Sequence, residues 1–128
     1  NNYSYYLSLR GGADNLFKAE KMIIRCLDLT KNSPEPSFLD TYAWVLFQQG
    51  KEEKNLMYKK EKYVQSEKIM EQCIGQGGNS AEIYEHYGDI LFELKNIKSA
   101  ITNWIKALEI NTQNAKLKKK IKMGRKKL

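Results

Sequence analysis

Between residues 84 and 107 the sequence sets small side chains where two helices would have to cross, and this spacing limits the fold more than any other feature. Tyr84, Tyr87 and Leu91 recur three and four apart, so they share one helix face. Gly88 lies on that face, where a missing side chain lets a second backbone approach. Ala100 follows 12 residues later (100 − 88), with Trp104 and Ala107 at helical spacing beyond it. Ala100 and Ala107 read as the small contacts of a second helix, and Trp104 fills the gap between them. Two antiparallel helices cannot bury such faces alone, so the pattern calls for stacked neighbours and an all-α fold.

Two earlier stretches repeat the pattern in degraded form. Leu39, Tyr42, Ala43 and Leu46 copy the spacing of Tyr84, Tyr87, Gly88 and Leu91, and Ser66, Met70 and Cys73 stand for Ala100, Trp104 and Ala107. Before them, Tyr3, Ser4 and Leu7 match the later part of a first helix, and Ala19, Ile23 and Cys26 match a second. The bulky residue expected before Tyr3 is missing. The chain also opens on Asn1-Asn2 within a helical pattern, so it reads as the end of a longer protein whose first repeat is cut.

The punctuation agrees. Gly11-Gly12-Ala13-Asp14 is a turn, and Asn32-Ser33-Pro34-Glu35-Pro36 separates the first two units. Gly50 is expected to end the helix begun near Ser37, and Gly75, Gly77 and Gly78 the next one. Asn79-Ser80-Ala81-Glu82 opens a further helix, Lys95-Asn96 make a short turn, and Asn111 or Thr112 caps a last helix running to about Gly124. The small-to-small spacing is 12 in the third unit, 15 in the first (19 − 4) and 23 in the second (66 − 43). The three extra residues of unit one read as a longer loop. The eleven extra in the second unit amount to about three turns at roughly 3.6 residues each. They predict one overlong helix over Lys51–Ile74 whose first half projects; the alternative is a segment folded back on its own repeat. Its Leu56-Met57-Tyr58 and Tyr63-Val64 are apolar and need cover.

The arrangement of bulky residue, bulky residue plus glycine, bulky residue, then small residue and aromatic closely resembles the tetratricopeptide pattern W-x2-L-G-x2-Y…A-x3-F. The resemblance implies a right-handed superhelix of antiparallel hairpins with a C-terminal capping helix. On this reading residues 1–33 are a truncated repeat, 34–78 a repeat with a helical insertion near 51–65, 79–112 a third repeat, and 113–128 a basic terminal helix, all in one domain. It looks most like the C-terminal part of a bacterial multi-repeat protein. Some of these are envelope-associated, which implies a periplasmic or envelope location, with the cytoplasm as the alternative.

The family presents ligands with a concave groove lined by first-helix residues between the core positions. Here the resemblance puts Asn2, Tyr5 and Leu9 there from the first unit, Asp40, Thr41, Trp44 and Gln48 from the second, and Glu82, Glu85, His86, Asp89 and Glu93 from the third. Aromatics in one half and carboxylates in the other suit a helix or extended peptide with an apolar anchor and basic residues. The bland alternative is that Tyr5 and Trp44 pack on neighbouring helices while the acids are solvated. One branch of the family binds the acidic C-termini of heat-shock chaperones through cations and Asn. The matching places here hold Asn1, Tyr5, Thr41, Glu82 and His86, so the cations are missing and that ligand class is disfavoured.

Charge separates the tail from the body. The net charge is +7, yet residues 116–128 hold eight basic residues and no acid, leaving 22 − 8 = 14 basic and 15 acidic elsewhere. With Leu117, Ile121 and Leu128 at helical spacing, the tail reads as the polar-faced cap that terminal repeats need. It reads alternatively as an anionic-surface contact through Lys116, Lys119, Lys120, Lys122, Arg125 and Lys126. A single Arg and no aromatic in the tail argue against nucleic acid.

Catalytic signatures are lacking: no H-E-x-x-H, G-x-S-x-G, P-loop or G-x-G-x-x-G is present. Cys26 and Cys73 fall at small core positions of successive helix pairs. They read as buried thiols too far apart for a bridge, which needs Cα atoms within about 7 Å. No apolar run nears the roughly 20 residues of a membrane-spanning helix, and no signal peptide is visible. The expectation is a non-catalytic protein–protein interaction scaffold with no cofactor, metal or small-molecule substrate. The alternatives are an end cap with no ligand of its own, or an anionic-surface binder.

Overall fold

The computed structural model describes residues 4–5, 9, 11–31 and 34–128. Their regular structure is entirely helical, as the sequence pattern requires: α1 (Ala13–Leu29), α2 (Pro36–Glu52), α3 (Leu56–Gly75), α4 (Ala81–Glu93), α5 (Ile97–Ile110) and α6 (Ala115–Lys126). Ser4, Tyr5 and Leu9 are helical as well. The expected roles of Asn1, Asn2, Tyr3, Leu7, Asn32 and Ser33 lie outside the described residues. The chain divides into two compact units, Asn1–Gly78 and Asn79–Leu128.

In the first unit, α1 packs on α2 and α2 on α3. The buried Ser4 hydroxyl donates to the Ala19 carbonyl at 2.7 Å, so these two small residues mark a close approach. Ala19 in turn packs on Val45 of α2. Gly11 and Gly12 turn the chain at φ 70° and 85°, a region costly for any side chain. The Gly12 N–H donates to the Glu52 carboxylate at 2.7 Å, tying the start of α1 to the end of α2. Pro36 occupies the first turn of α2, where its missing N–H has no helical partner to lose. Leu39, Ala43 and Leu46 of α2 and Ser66, Met70 and Cys73 of α3 are all buried, as their spacing predicts.

The expected single helix over Lys51–Ile74 is corrected. Helix α2 continues through Gly50 to Glu52, a three-residue connection follows, and α3 begins at Leu56. From Ala43 to the end of α2 is nine residues, against five from Gly88 to the end of α4. From the start of α3 to Ser66 is ten, against three from the start of α5 to Ala100. The eleven extra residues therefore split into four on α2 and seven on α3, and the two helices pack on each other. Gly50 is thus no helix stop. A Cβ there would lie 2.8 and 2.9 Å from two carbons of the Tyr63 ring, so glycine is where the lengthened helices touch. Tyr63 and Phe47 are buried with ring centroids 5.3 Å apart. What starts α3 is Asn55, whose side chain accepts from the N–H groups of Met57 (3.0 Å) and Tyr58 (3.1 Å). The Lys59 ammonium donates to the carbonyls of Gly50 (2.8 Å) and Lys51 (3.0 Å), satisfying two acceptors at the end of α2.

In the second unit, Ser80 caps α4 by accepting from the Ile83 N–H at 3.2 Å, and Lys95 at φ 67° closes the turn into α5. Gly88 faces Trp104: a Cβ there would overlap the indole Cδ1 and Nε1 and lie 3.0 Å from the Ala100 carbonyl oxygen. Helix α6 is capped by Asn114, which accepts from Leu117 N–H at 3.1 Å, and not by Asn111 or Thr112. Asn111 instead closes α5. The last helix, expected to run to about Gly124, ends at Lys126. Gly124 is buried, and a Cβ there would lie 2.9 Å from Ile101 Cγ1 and 3.2 Å from Trp104 Cζ3. Trp104 therefore has a glycine of α4 and a glycine of α6 against it. Leu117 and Ile121 are buried as expected, but Leu128, beyond the helix, is 67% exposed. Among the described residues no helix is long and apolar enough to cross a membrane.

Candidate functional site

On α2, Asp40, Thr41, Trp44 and Gln48 recur at one and four residues, which keeps them near one helix face. Asp40 and Thr41 are buried. The Thr41 hydroxyl donates back to the Ser37 carbonyl at 3.0 Å and is satisfied within its own helix. Trp44 and Gln48 are half-buried, and the Trp44 ring sits 5.3 Å from that of Phe47. Tyr5 is half-buried and Leu9 exposed. Trp44 and Gln48 are thus the α2 candidates with surface still to offer.

On α4 the expected ligand-facing acids have partners of their own. The Lys120 ammonium of α6 donates to Glu85 Oε2 at 2.7 Å and to both oxygens of Asp89 at 2.9 and 3.0 Å. Asp89 Oδ1 also accepts from the Trp104 indole N–H at 3.1 Å. Burial works against the Lys120 charge, but the pull of Asp89 and the bonds to both carboxylates outweigh it and raise its pKa above the ordinary lysine range. Glu85, Asp89 and Lys120 therefore hold α6 against α4. Lys120 is not a free surface cation, and the two acids are not free to meet a ligand. His86 is buried and lies 4.0 Å from Glu82, which is exposed; Glu93 is half-buried.

The remaining tail cations behave differently. Lys116, Lys118, Lys119, Lys122, Arg125, Lys126 and Lys127 are all exposed. At about 100° per residue they span an arc of roughly 200° that contains no acid. Lys127 also lies 5.8 Å over the Phe92 ring.

Cys73 is buried, donates its thiol hydrogen to the Pro36 carbonyl at 3.1 Å, and has its pKa pushed up to about 12, by burial first and the Asp40 charge second. It is held as a thiol, the opposite of an activated nucleophile. Cys26 is half-buried, and both cysteines are free. Taken unit by unit, the described residues bring no three metal-ligating side chains together. Neither a protein-family model nor a curated protein matches the chain.

The lysine clamp could not be read from the spacing rule that selected Glu85 and Asp89. It joins residues 31 and 35 apart in sequence, and only the docking of α6 reveals it. The one available signal was that Lys120 lies between Leu117 and Ile121 on the apolar side of α6.

Proposed function

We propose that the chain is a non-catalytic protein–protein interaction module of the tetratricopeptide type, its hairpins stacked as a right-handed superhelix and its ligand a peptide or helix. The observation that carries this reading is the burial of the small residue at each helix crossing the repeat spacing selects, Ser4 and Ala19, Ala43 and Ser66, Gly88 and Ala100, although Cys26, expected to be buried one turn further along, is only half-buried. Trp44 supplies the aromatic anchor and Gln48 a hydrogen-bonding group beside it, with Tyr5 of the same unit as a further contact. A peptide with an apolar side chain next to a hydrogen-bonding one fits that set. Glu85, Asp89 and Lys120 drop out of the ligand face because they hold α6.

A peptide display library panned on the full chain tests this. Enriched peptides should bind at least about tenfold more weakly to Trp44→Ala and to Gln48→Arg, a loss of about 1.4 kcal/mol. The fold of both variants is checked by circular dichroism. No enrichment, or equal binding by folded variants, would overturn the reading.

The exposed cation arc of α6 favours a second reading, attraction to an anionic lipid surface. The apolar side of α6 is buried in its own unit, so attachment would be electrostatic and salt-sensitive. Co-sedimentation with phosphatidylserine vesicles should be lost in Lys116→Glu/Lys119→Glu/Lys122→Glu; binding that persists in this variant would refute it.

A further inference from the structure

The seven residues added at the start of α3 carry the most exposed apolar run among the described residues of the first unit. Leu56, Met57 and Tyr58 are 79%, 69% and 54% exposed. Met57, Lys60, Glu61, Val64 and Gln65 line a shallow cleft of about 360 Å³. At about 100° per residue, Met57, Lys60, Glu61 and Val64 fall within an arc of roughly 100°. Tyr63, Ser66, Met70 and Cys73, the buried side, point the opposite way. Lys60 and Glu61 are exposed and enter no ion pair among the described residues. Farther along the same outer face, Lys68, Glu71 and Gln72 replace the apolar residues.

The order of these four side chains is self-complementary. When a helix meets its own copy antiparallel about a two-fold axis between residues 60 and 61, position i faces position 121 − i. Met57 then faces Val64, and Lys60 faces Glu61, each pair twice. Apolar meets apolar and each cation meets an anion, with no like-charge contact among the four positions. A shift of the axis to Val64 would set Lys60 against Lys68 and Glu61 against Glu67, so like-charge repulsion disfavours that register, while an axis between residues 62 and 63 would set the apolar Met57 and Val64 against the charged Lys68 and Glu61. We propose that this face of α3 docks a second copy of the same chain, through antiparallel pairing of the α3 helices centred between Lys60 and Glu61. Two helical turns make a small interface, below about 1,200 Å² in total, so the dimer is weak and concentration-dependent. The surface is separate from the Trp44 face, and this inference stands or falls independently of the peptide-binding reading.

Sedimentation equilibrium of the full chain tests it. The wild type should dimerise reversibly below about 1 mM, as expected for an interface at the low end of the size range. Lys60→Glu places two pairs of acids in contact and Glu61→Lys two pairs of lysines; each variant should associate at least about tenfold more weakly. An equimolar mixture of the two variants restores both opposite-charge pairs and should bring the dimer back, as should the double variant Lys60→Glu/Glu61→Lys. A wild type that stays monomeric at about 1 mM would overturn the proposal, as would single variants that dimerise undiminished. So would a mixture that stays monomeric while the wild type dimerises. The first outcome leaves the face to a partner of different sequence, and the second moves the dimer to another surface.

Discussion

Substituting Gly88 by alanine pits two known effects against each other, and the structure says which wins. In an exposed helix interior, Gly→Ala is worth about 1 kcal/mol of stabilisation. At position 88 the new methyl would overlap Trp104 Cδ1 and Nε1 and sit 3.0 Å from the Ala100 carbonyl oxygen. The indole has no free side to retreat to, because Gly124 of α6 sets backbone against its other edge, and the Ala100 oxygen is backbone. Relief requires α5 to move away from α4, which belongs at the upper end of overpacking costs, about 3 kcal/mol. The net expectation is a loss of about 2 kcal/mol and a melting temperature lower by roughly 5–10 °C. Urea unfolding followed by tryptophan fluorescence and far-UV circular dichroism measures it. Gly75→Ala is the control, since a Cβ there meets nothing within 4 Å. It should be neutral or slightly stabilising. Shrinking the obstacle should rescue the clash: Gly88→Ala/Trp104→Phe should be less destabilised than the sum of the two single variants, by about 1 kcal/mol or more. A Gly88→Ala protein as stable as Gly75→Ala would refute the reasoning, because the helices would then not be held apart only by the absence of a side chain.

Three further outcomes are expected. Lys120→Met leaves the Glu85 and Asp89 carboxylates, both less than a quarter exposed, without their cation; it should cost about 1–3 kcal/mol and speed amide exchange in α6, with partial recovery when Glu85→Gln and Asp89→Asn are added. Alkaline pH should destabilise the protein. Cys73 has a folded pKa above its unfolded value of about 8.5, so the stability it contributes is complete below that pH and is lost as pH rises toward about 12. Lys120, also raised, adds a loss in the same direction above about pH 10.4. Urea unfolding at pH 8 and at pH 11 should show the drop, and Cys73→Ala should reduce it. At pH 8, Cys73 should resist a disulfide reagent until the chain unfolds. Asn55→Ala removes the acceptor for two backbone N–H groups and should cost about 1 kcal/mol in thermal unfolding, with the exchange protection of Met57 and Tyr58 falling first.

Small residues at the helix crossings were legible because their meaning is local and periodic. Ser4, Ala19, Ala43, Ser66, Gly88 and Ala100 are all buried, as their spacing predicts. The meaning of a glycine was less legible. Gly50 read as a helix stop and proves to be a point of close approach against Tyr63, and Gly124, near the expected end of the last helix, is pressed against Ile101 and Trp104. A glycine relaxes backbone sterics whether it ends a helix or admits a neighbour, and the chain alone does not say which neighbour is present. The site reading met the same limit. Trp44 and Gln48 keep partial exposure, while Glu85 and Asp89 are taken up by Lys120.

Helical class and the places where small residues are buried are written in the sequence, because each follows from residues within a few turns of one another. The sharing of the eleven extra residues between α2 and α3, the lysine clamp on α6, and the exposure of Leu56, Met57 and Tyr58 were decided only by tertiary packing. Those features depend on which helix face meets which partner across tens of residues, and side-chain periodicity fixes the faces but not their pairing.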